Sequence, residues 1–254
     1  MSEESLLVEE LGEHGLLKKL QRYCPSDIVG DDGAILTTSP GQSLVVTTDV
    51  LVDEVHFSDR TTSAYDVGWR AVAANLSDLA AMGATPIGIT VGLSVPGNKL
   101  VSWVEELYRG ISGCLNLYPT LLVGGDICRS KITTIAITAF GEVCPQQAIL
   151  RSSARPGDAI VITGLHGLSR GGLELLLEPK KQSILSPAEC QRLIQAHQRP
   201  LPRLDVLEPI RRIAPQVAIA GMDSSDGLAD AIVQICQASD VGALINRSSL
   251  NIDS

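Results

Sequence analysis

Apolar and polar residues alternate along this chain with two different periods, and together they predict a mixed fold. A helical period of about 3.6 residues runs through residues 5–20, 64–82 and 100–117. Strand-prone runs rich in β-branched residues fill 43–52 and 87–95. Elements that alternate in this way are typical of α/β domains of the α+β type, in which helices flank a mixed sheet.

The same pattern divides the chain into two parts. A short strand, a turn at Gly124-Gly125-Asp126 and a β-branched run over 131–143 complete the first part. The stretch Arg151 to Asp158, with Pro156 and Gly157, is typical of a connection between domains. We therefore predict an N-terminal domain at 1–149 and a C-terminal domain at 150–254.

The second part is predicted to be another α/β domain. A strand is expected at 159–164, followed by helical segments and a last strand. The helical segments are near 168–178, 187–197, 203–212 and 227–237, and the last strand is at 242–246. The chain then stops abruptly after this last strand, with only about a hundred residues past the boundary. We expect this domain to be incomplete.

Composition excludes several classes of protein. The chain has 254 residues, of which 44% are hydrophobic and 3% aromatic, so its core is predicted to be aliphatic. Its formal net charge of −9 disfavours nucleic acid and anionic membranes as partners. It has no apolar run of about 18 residues, no secretory signal and no Cys-x-x-Cys pair. We therefore expect a cytoplasmic protein with reduced thiols and no zinc site.

Five short acidic clusters lie where predicted elements begin or end. Carboxylates in such places, beside glycines that let a ligand approach the backbone, predict a convergent site for Mg²⁺ and a polyphosphate. The clusters are Gly30-Asp31-Asp32-Gly33, Thr47-Thr48-Asp49, Ser77-Asp78, Gly124-Gly125-Asp126 and Asp223-Ser224-Ser225-Asp226-Gly227.

Most of these clusters also have a simpler interpretation. Asp32 fits a hairpin turn, Asp78 fits a solvated polar stripe on a helix, and Gly124-Gly125-Asp126 fits a plain loop. Ser225 or Asp226 fits a helix cap, although a cap and a phosphate site are compatible at a helix N-terminus. Asp49 is harder to explain without function, because a carboxylate inside a strand needs a partner or a metal.

Two further side chains have structural and functional interpretations, and the usual nucleotide motifs are absent. His56 fits a surface residue or a substrate contact, and Tyr108 fits a packed helix residue or a nucleotide contact. The chain contains neither Gly-x-Gly-x-x-Gly nor a Gly-Lys dipeptide. ATP binding would therefore need a site other than a Rossmann turn or a P-loop.

Six segments taken in order carry a family resemblance. They are GDDGAIL, VVTTDVLVDEVHF, NLSDLAAMGATP, VGGDICRS, RSSARPGDAIVITG and DSSDGLAD. From about residue 27 to the end, the chain resembles the thiamine-monophosphate kinases, which share an ATP-binding α/β fold with aminoimidazole-ribonucleotide synthetase and selenophosphate synthetase. The resemblance implies a homodimer whose N-terminal sheets pair into a barrel.

The resemblance also implies roles for individual residues. Mg²⁺ ions around the phosphates of ATP and of thiamine monophosphate would be held by Asp32, Thr47, Thr48, Asp49, Asp78, Asp126, Asp223 and Asp226. The nucleotide would contact Tyr108, Gly125, Asp126, Arg151 and Ser225, and the substrate would contact His56. The implied reaction yields thiamine diphosphate and ADP. It needs no general base, because the attacking phosphate oxygen is already ionised near neutral pH.

Two alternatives remain open from the sequence. One is another ATP-using enzyme of the same superfamily, and the other is a truncated paralogue that binds nucleotide without turnover. Relative to that family, the chain ends before several expected strands and helices. A glutamate and an aromatic residue near the thiamine rings are expected to be missing with them.

Overall fold

The computed structural model describes residues 5–26, 28, 32–213, 217–246, 248 and 250. Its α-helices are α1 Val8–Leu20, α2 Ala64–Ala81, α3 Val101–Leu117, α4 Leu168–Leu177, α5 Pro187–Gln198, α6 Leu207–Ile213 and α7 Leu228–Ser239. Its strands are β1 Ser43–Val52, β2 Thr85–Val95, β3 Leu121–Arg129 and β4 Thr134–Val143. Short 3₁₀ turns lie at Gln21–Tyr23, Pro145–Gln147, Arg151–Ser153, Pro179–Ile184 and Leu204–Val206.

The four strands form one mixed sheet in the order β1-β4-β2-β3. Strand β4 pairs antiparallel with β1 and with β2, whereas β2 and β3 run parallel. One face of the sheet packs against α2, and α3 packs on α2. Each predicted helix and strand of residues 5–117 is confirmed to within a few residues, although α1 has a kink at Gly12, where φ is 72°.

The core lies between this sheet and its helices. Ile89, Val91 and Ile137 on the strands are fully buried, as are Leu76 and Leu79 on α2. Aliphatic side chains supply nearly all of this buried surface, as the low aromatic content predicts. Alternate residues of β1, by contrast, are exposed on the opposite face of the sheet.

Helices α2 and α3 cross with their backbones in contact. A Cβ atom at Gly68 would lie 2.0 Å from the carbonyl oxygen of Leu107, and one at Gly110 would lie 1.8 Å from that of Tyr65. Larger residues at either glycine would push the helices apart. The glycines therefore fix the position of α2, the helix that carries Asp78.

The predicted turn at Gly124-Gly125-Asp126 is wrong, because these residues lie inside β3. Pairing with β2 supplies backbone partners that outweigh the low strand propensity of glycine. A Cβ atom at Gly125 would lie 2.2 Å from the carbonyl oxygen of Val91. Glycine is thus needed there for strand packing.

The strands predicted at 159–164 and 242–246 are also not formed, and in the described residues beyond Val143 the regular structure is helical. A β-prone segment needs a neighbouring strand to satisfy its backbone groups. These segments are instead open to solvent, with Val161 81% exposed and Leu244 96% exposed. The predicted helices of this half are confirmed as α4, α5, α6 and α7.

None of the helices in the described ranges is both long enough and apolar enough to cross a membrane.

Candidate metal and nucleotide site

The centre of the candidate site lies where β1 passes over α2. Strand alternation turns Thr47 and Asp49 towards the helix side of the sheet. The Thr47 hydroxyl donates a hydrogen bond to Asp78 Oδ2 at 2.5 Å. The Asp49 amide donates to Asn75 Oδ1 at 3.1 Å. Two polar pairs therefore join the middle of β1 to the second half of α2.

The second half of the chain brings two more carboxylates to this place. The pKa of Asp49 is raised, first by burial and then by the negative charges of Asp223 and Asp226. Nearby His56 acts in the opposite direction and lowers it. Asp223 and Asp226 precede α7, so residues far apart in sequence share one electrostatic environment.

Asp78 has the same kind of environment. Burial is the largest cause of its raised pKa, and the charges of Asp49 and Asp223 raise it further. The hydrogen bond from Thr47 and the charge of Arg151 lower it. Asp78 is thus a partly buried carboxylate with acidic neighbours and one nearby guanidinium.

This donor set fits a hard divalent cation. Carboxylate and hydroxyl oxygens are the ligands that Mg²⁺ prefers, and a cation would relieve the repulsion that, after burial, raises the two pKa values. Over the described part of the chain, no three Asp, Glu, His or Cys side chains are close enough together to hold one ion. Any one ion held here would therefore need water or phosphate oxygens as further ligands.

His56 is held in a defined orientation at the edge of this group. Its Nδ1 accepts a hydrogen bond from the Val52 amide at 3.0 Å. In the neutral ring the proton must then lie on Nε2, which leaves a donor for an anionic group. Its charge would lower the pKa of Asp49, so the ring belongs to the same electrostatic environment as the carboxylates.

Arg151 and Ser225 lie on the side of the site formed by the second half. The Arg151 guanidinium donates to Gln234 Oε1 on α7 at 2.6 Å. Helix α7 has Gly227 as its N-cap, with no side-chain cap. Ser225 and Asp226 are exposed and do not cap the helix, so the simpler interpretation of this cluster does not hold.

Three predicted site residues are not brought to this centre within one chain. Thr48 points to the other face of the sheet, where its hydroxyl lies 2.9 Å from that of Thr138. Asp126 is on that same face, at the far edge of the sheet. Gly125 lies level with Asp49 across the sheet, through Ile137 and Val91. Their strands are at opposite edges, however, and three strand spacings separate them by about 14 Å.

Two other predicted contacts have different surroundings. Asp32 is exposed, while Gly30 and Asp31 of its cluster lie outside the described residues. Tyr108 is buried in the core, with its ring centroid 5.8 Å from that of Tyr23, and burial raises the pKa of its hydroxyl. Its position agrees with the packed-helix interpretation.

Sequence reasoning missed the role of Asn75. This side chain has no exposed surface, donates to the Ala71 carbonyl at 2.9 Å and accepts from the Asp49 amide. The signal was a polar residue on a helix face that is otherwise apolar, three residues before Asp78. A buried amide needs partners, and one of these is the backbone of a candidate ligand.

The sheet and its helices belong to a recognised class of domain. Residues 30–143 match the family described as AIR synthase related protein, N-terminal domain. The match covers β1, α2 and β3, and thus every predicted site residue from Asp32 to Asp126.

Relatives at higher identity define the family. The chain is 53% identical over 253 residues to the thiamine-monophosphate kinase of Synechococcus elongatus, covering 98% of this chain and 76% of that protein. The crystal structure of thiamine-monophosphate kinase from Stenotrophomonas maltophilia K279a is 34% identical, with a TM-score of 0.80 over 94% of this chain and 75% of that one. The chain belongs to the thiamine-monophosphate kinase family.

A third comparison concerns ligands. The structure of AaThiL complexed with AMPPCP and TMP is 37% identical, with a TM-score of 0.71. The match covers 92% of this chain and 72% of that chain. The chain therefore spans about three quarters of the length of these relatives.

Proposed function

We propose that this protein transfers the γ-phosphoryl group of ATP to thiamine monophosphate, releasing thiamine diphosphate and ADP. Family membership at 53% identity supports the reaction, and so does a 37% identical structure that holds AMPPCP and TMP. The observation that carries the proposal in this chain is the convergence of Asp49, Asp78 and Asp223 in one electrostatic neighbourhood. Two anionic substrates can meet there only if cations offset the charge.

The proposed metal ligands are the carboxylates of this group. Asp49, Asp78, Asp223 and Asp226 would hold Mg²⁺, with Thr47 fixing the Asp78 carboxylate. Bound Mg²⁺ would neutralise phosphate oxygens and help to hold donor and acceptor in line. Asp32 remains a proposed ligand because of its acidic sequence cluster alone.

The remaining groups are proposed to position phosphates rather than to move protons. Arg151 offers a guanidinium beside Asp78, and His56 offers Nε2–H beside Asp49. Ser225 lies in the turn before α7, where a helix N-terminus favours phosphate. We assign no general base, because the attacking phosphate oxygen carries its own charge.

We further propose a homodimer built on the outer face of the sheet. Leu44, Val46 and Val50 of β1 are each between 44% and 53% exposed on that face. An open apolar face of this kind favours association. The same face carries Thr48 and Asp126, so we propose that these two residues bind metal only within the dimer. We likewise propose that Gly125 contacts nucleotide only in the dimer.

Two broader assignments complete the proposal. We divide the protein at about residue 150, into a domain at 1–149 that binds nucleotide and dimerises and a second domain at 150–254. The six cysteines form no disulfides, which fits a reducing compartment such as the cytoplasm. Tyr108 is retained as a core residue of the first domain.

An ADP-release assay tests the function directly. The protein is incubated with ATP and thiamine monophosphate, thiamine or no acceptor, with and without Mg²⁺. We expect ADP release only with thiamine monophosphate and Mg²⁺ together. Equal release with thiamine, or without an acceptor, would contradict the proposed acceptor.

A further inference from the structure

Helix α2 is held at its N-terminal end by the second half of the chain. The Arg199 guanidinium forms an ion pair with Asp66, whose side chain is 8% exposed. The same guanidinium lies over the Tyr65 ring, 4.7 Å from its centroid. A charge pair with one buried member and a stacked ring is a fixed contact rather than a loose surface pair.

Two hydrogen bonds from side chains to the main chain also join the start of α2 to the end of α5, and we call this contact region the seam. Trp69 Nε1 donates to the Pro200 carbonyl at 3.0 Å. Gln198 Nε2 donates to the Thr61 carbonyl at 2.8 Å. Because both contacts join side chains to main chain, they fix one segment against the other in position and in register.

A buried histidine adds a third layer to the seam. His197 is 6% exposed, with its Nε2 3.1 Å from Arg70 Nη1 and its Nδ1 3.3 Å from Ser169 Oγ. An arginine can only donate, so Nε2 accepts and Nδ1–H donates to Ser169. Burial and Arg70 lower the pKa of His197 to about 4, so the ring is neutral at physiological pH.

The second half also holds the other end of α2. Arg211 Nη2 donates to the Gly83 carbonyl at 2.6 Å, just beyond the C-terminus of the helix. Ile149, directly before the boundary between the two parts, adds a hydrogen bond from its amide to the Met82 carbonyl at 3.1 Å. Helix α2 is therefore gripped at both ends by residues that follow β4.

Asn75 and Asp78 lie on α2 between these two sets of contacts and face the candidate site. We propose that Arg199 and Arg211 are positioning residues. They hold the second half of the chain against α2, and the segment before Asp223 is fixed at the C-terminal end of that helix by the hydrogen bond from the Leu150 amide to the Ile219 carbonyl, at 3.4 Å. Asp223 and Asp226 are thereby placed relative to Asp78 before any ligand binds. This inference rests on the proposed function, since it assumes that these carboxylates share Mg²⁺ and nucleotide. Ligand geometry is demanding, so a small shift of α2 would weaken binding without removing any ligand.

Binding of Mg²⁺-ATP to Arg199→Gln tests the proposal by titration calorimetry on the whole chain. We expect affinity to fall by about 10- to 100-fold, as it does for other groups that orient metal ligands. Arg199→Lys keeps the charge and should recover part of the loss. Arg211→Ala breaks the grip at the other end and should weaken binding in the same direction, which provides a second test if Arg199→Gln does not fold.

Two controls separate positioning from stability. Lys181→Gln breaks half-exposed ion pairs with Glu174 and Glu178 in the same half of the chain and should leave affinity unchanged. Val104→Ala opens the buried core of α3 and should lower the melting temperature with little change in affinity. If Arg199→Gln and Arg211→Ala lower the melting temperature but leave the affinity for Mg²⁺-ATP nearly unchanged, as Val104→Ala should, these contacts only stabilise the fold. The proposal would then be wrong. If the unmodified protein does not bind Mg²⁺-ATP, the proposed function itself fails.

Discussion

In the proposed site, residues 43–143 and residues 150–246 contribute from very different structural settings. Among the described residues, the first region contains all four strands and most of the fully buried side chains, including Ile135 and Ile137. The second contributes helices, and its most buried apolar residues, such as Leu175, retain some exposure. Its strand-prone segments lie open to solvent, as at Val161.

The carboxylates of the two regions differ in burial for the same reason. Asp49 and Asp78 sit in a dense frame, where burial is the largest cause of their raised pKa values. Asp226 is exposed, in a turn before α7. The first region thus supplies precise placement at an electrostatic cost, whereas the second supplies charge from a more solvated position.

The largest expected effect comes from removing a charge in the first region. Asp49→Asn and Asp78→Asn should each reduce turnover by more than about 100-fold, since even groups that only orient metal ligands cost 10- to 100-fold. Stability should hold or rise, because each change removes like-charge repulsion. Kinase assays at limiting Mg²⁺ and thermal melts provide the measurements.

The matched control is Asp59→Asn, which changes a carboxylate that is 78% exposed and lies 3.9 Å from Lys99. It should retain full activity. Near-normal turnover of either Asp49→Asn or Asp78→Asn would remove that residue from the set of metal ligands.

Substitutions in the two regions should also differ clearly in their effect on the free energy of unfolding. Ile137→Ala removes a fully buried side chain and should lower the free energy of unfolding by about 2–5 kcal/mol. Val161→Ala changes a side chain that is 81% exposed and should stay within about 0.5 kcal/mol. Urea denaturation measures both, and equal costs would mean that the second region has a core comparable to the first.

A smaller effect is expected from Asn75, which touches the site through the backbone. Asn75→Ala leaves the Asp49 amide without its acceptor, so we expect Mg²⁺ affinity to fall by about 10- to 100-fold. Asn116→Ala, at an exposed position near the end of α3, is the control. The two variants are compared by titrating Mg²⁺ in the presence of ATP, and identical curves would contradict a positioning role for Asn75.

The mildest expected effect is a dependence on pH. Because the folded-state pKa values of Asp49 and Asp78 are raised, the unfolded chain loses these protons first as pH increases. The metal-free protein should therefore lose stability as pH rises from the ordinary carboxyl range through the raised values. Mg²⁺ affinity should change in the opposite direction, because binding needs the ionised carboxylates.

Thermal melts and Mg²⁺ titrations across that range test this prediction. Asp49→Asn should flatten both pH profiles. If stability instead rises with pH over this range, ionisation of the two carboxylates stabilises the fold, which would contradict the prediction.

The fold of the first region could be predicted because local and global signals agree there. Strand β1 was predicted at its observed bounds, and α2 to within a residue. The extension of β3 through Gly125 could not be predicted, because it depends on pairing with β2. Strand predictions at 159–164 and 242–246 failed for the converse reason, since a strand-prone sequence without a partner stays irregular.

The site was predictable in part for related reasons. Acidic residues at element ends identified Asp49, Asp78 and Asp223, which the fold does bring together. Strand alternation and sheet order, however, separate Thr48 and Asp126 from them, and no local pattern reveals which face of a sheet a helix will cover. Asn75 shows the same limit, because its importance depends on which strand it meets.

The central claim is that carboxylates from both regions bind nucleotide through shared Mg²⁺. Titration calorimetry of ATP in Mg²⁺ and in EDTA, on the unmodified protein, Asp49→Asn and Asp226→Asn, tests it most directly. We predict tight binding only for the unmodified protein with Mg²⁺, and much weaker binding for both variants. Equal ATP affinity in Mg²⁺ and EDTA, or full affinity in Asp226→Asn, would contradict a metal-bridged site shared by the two regions.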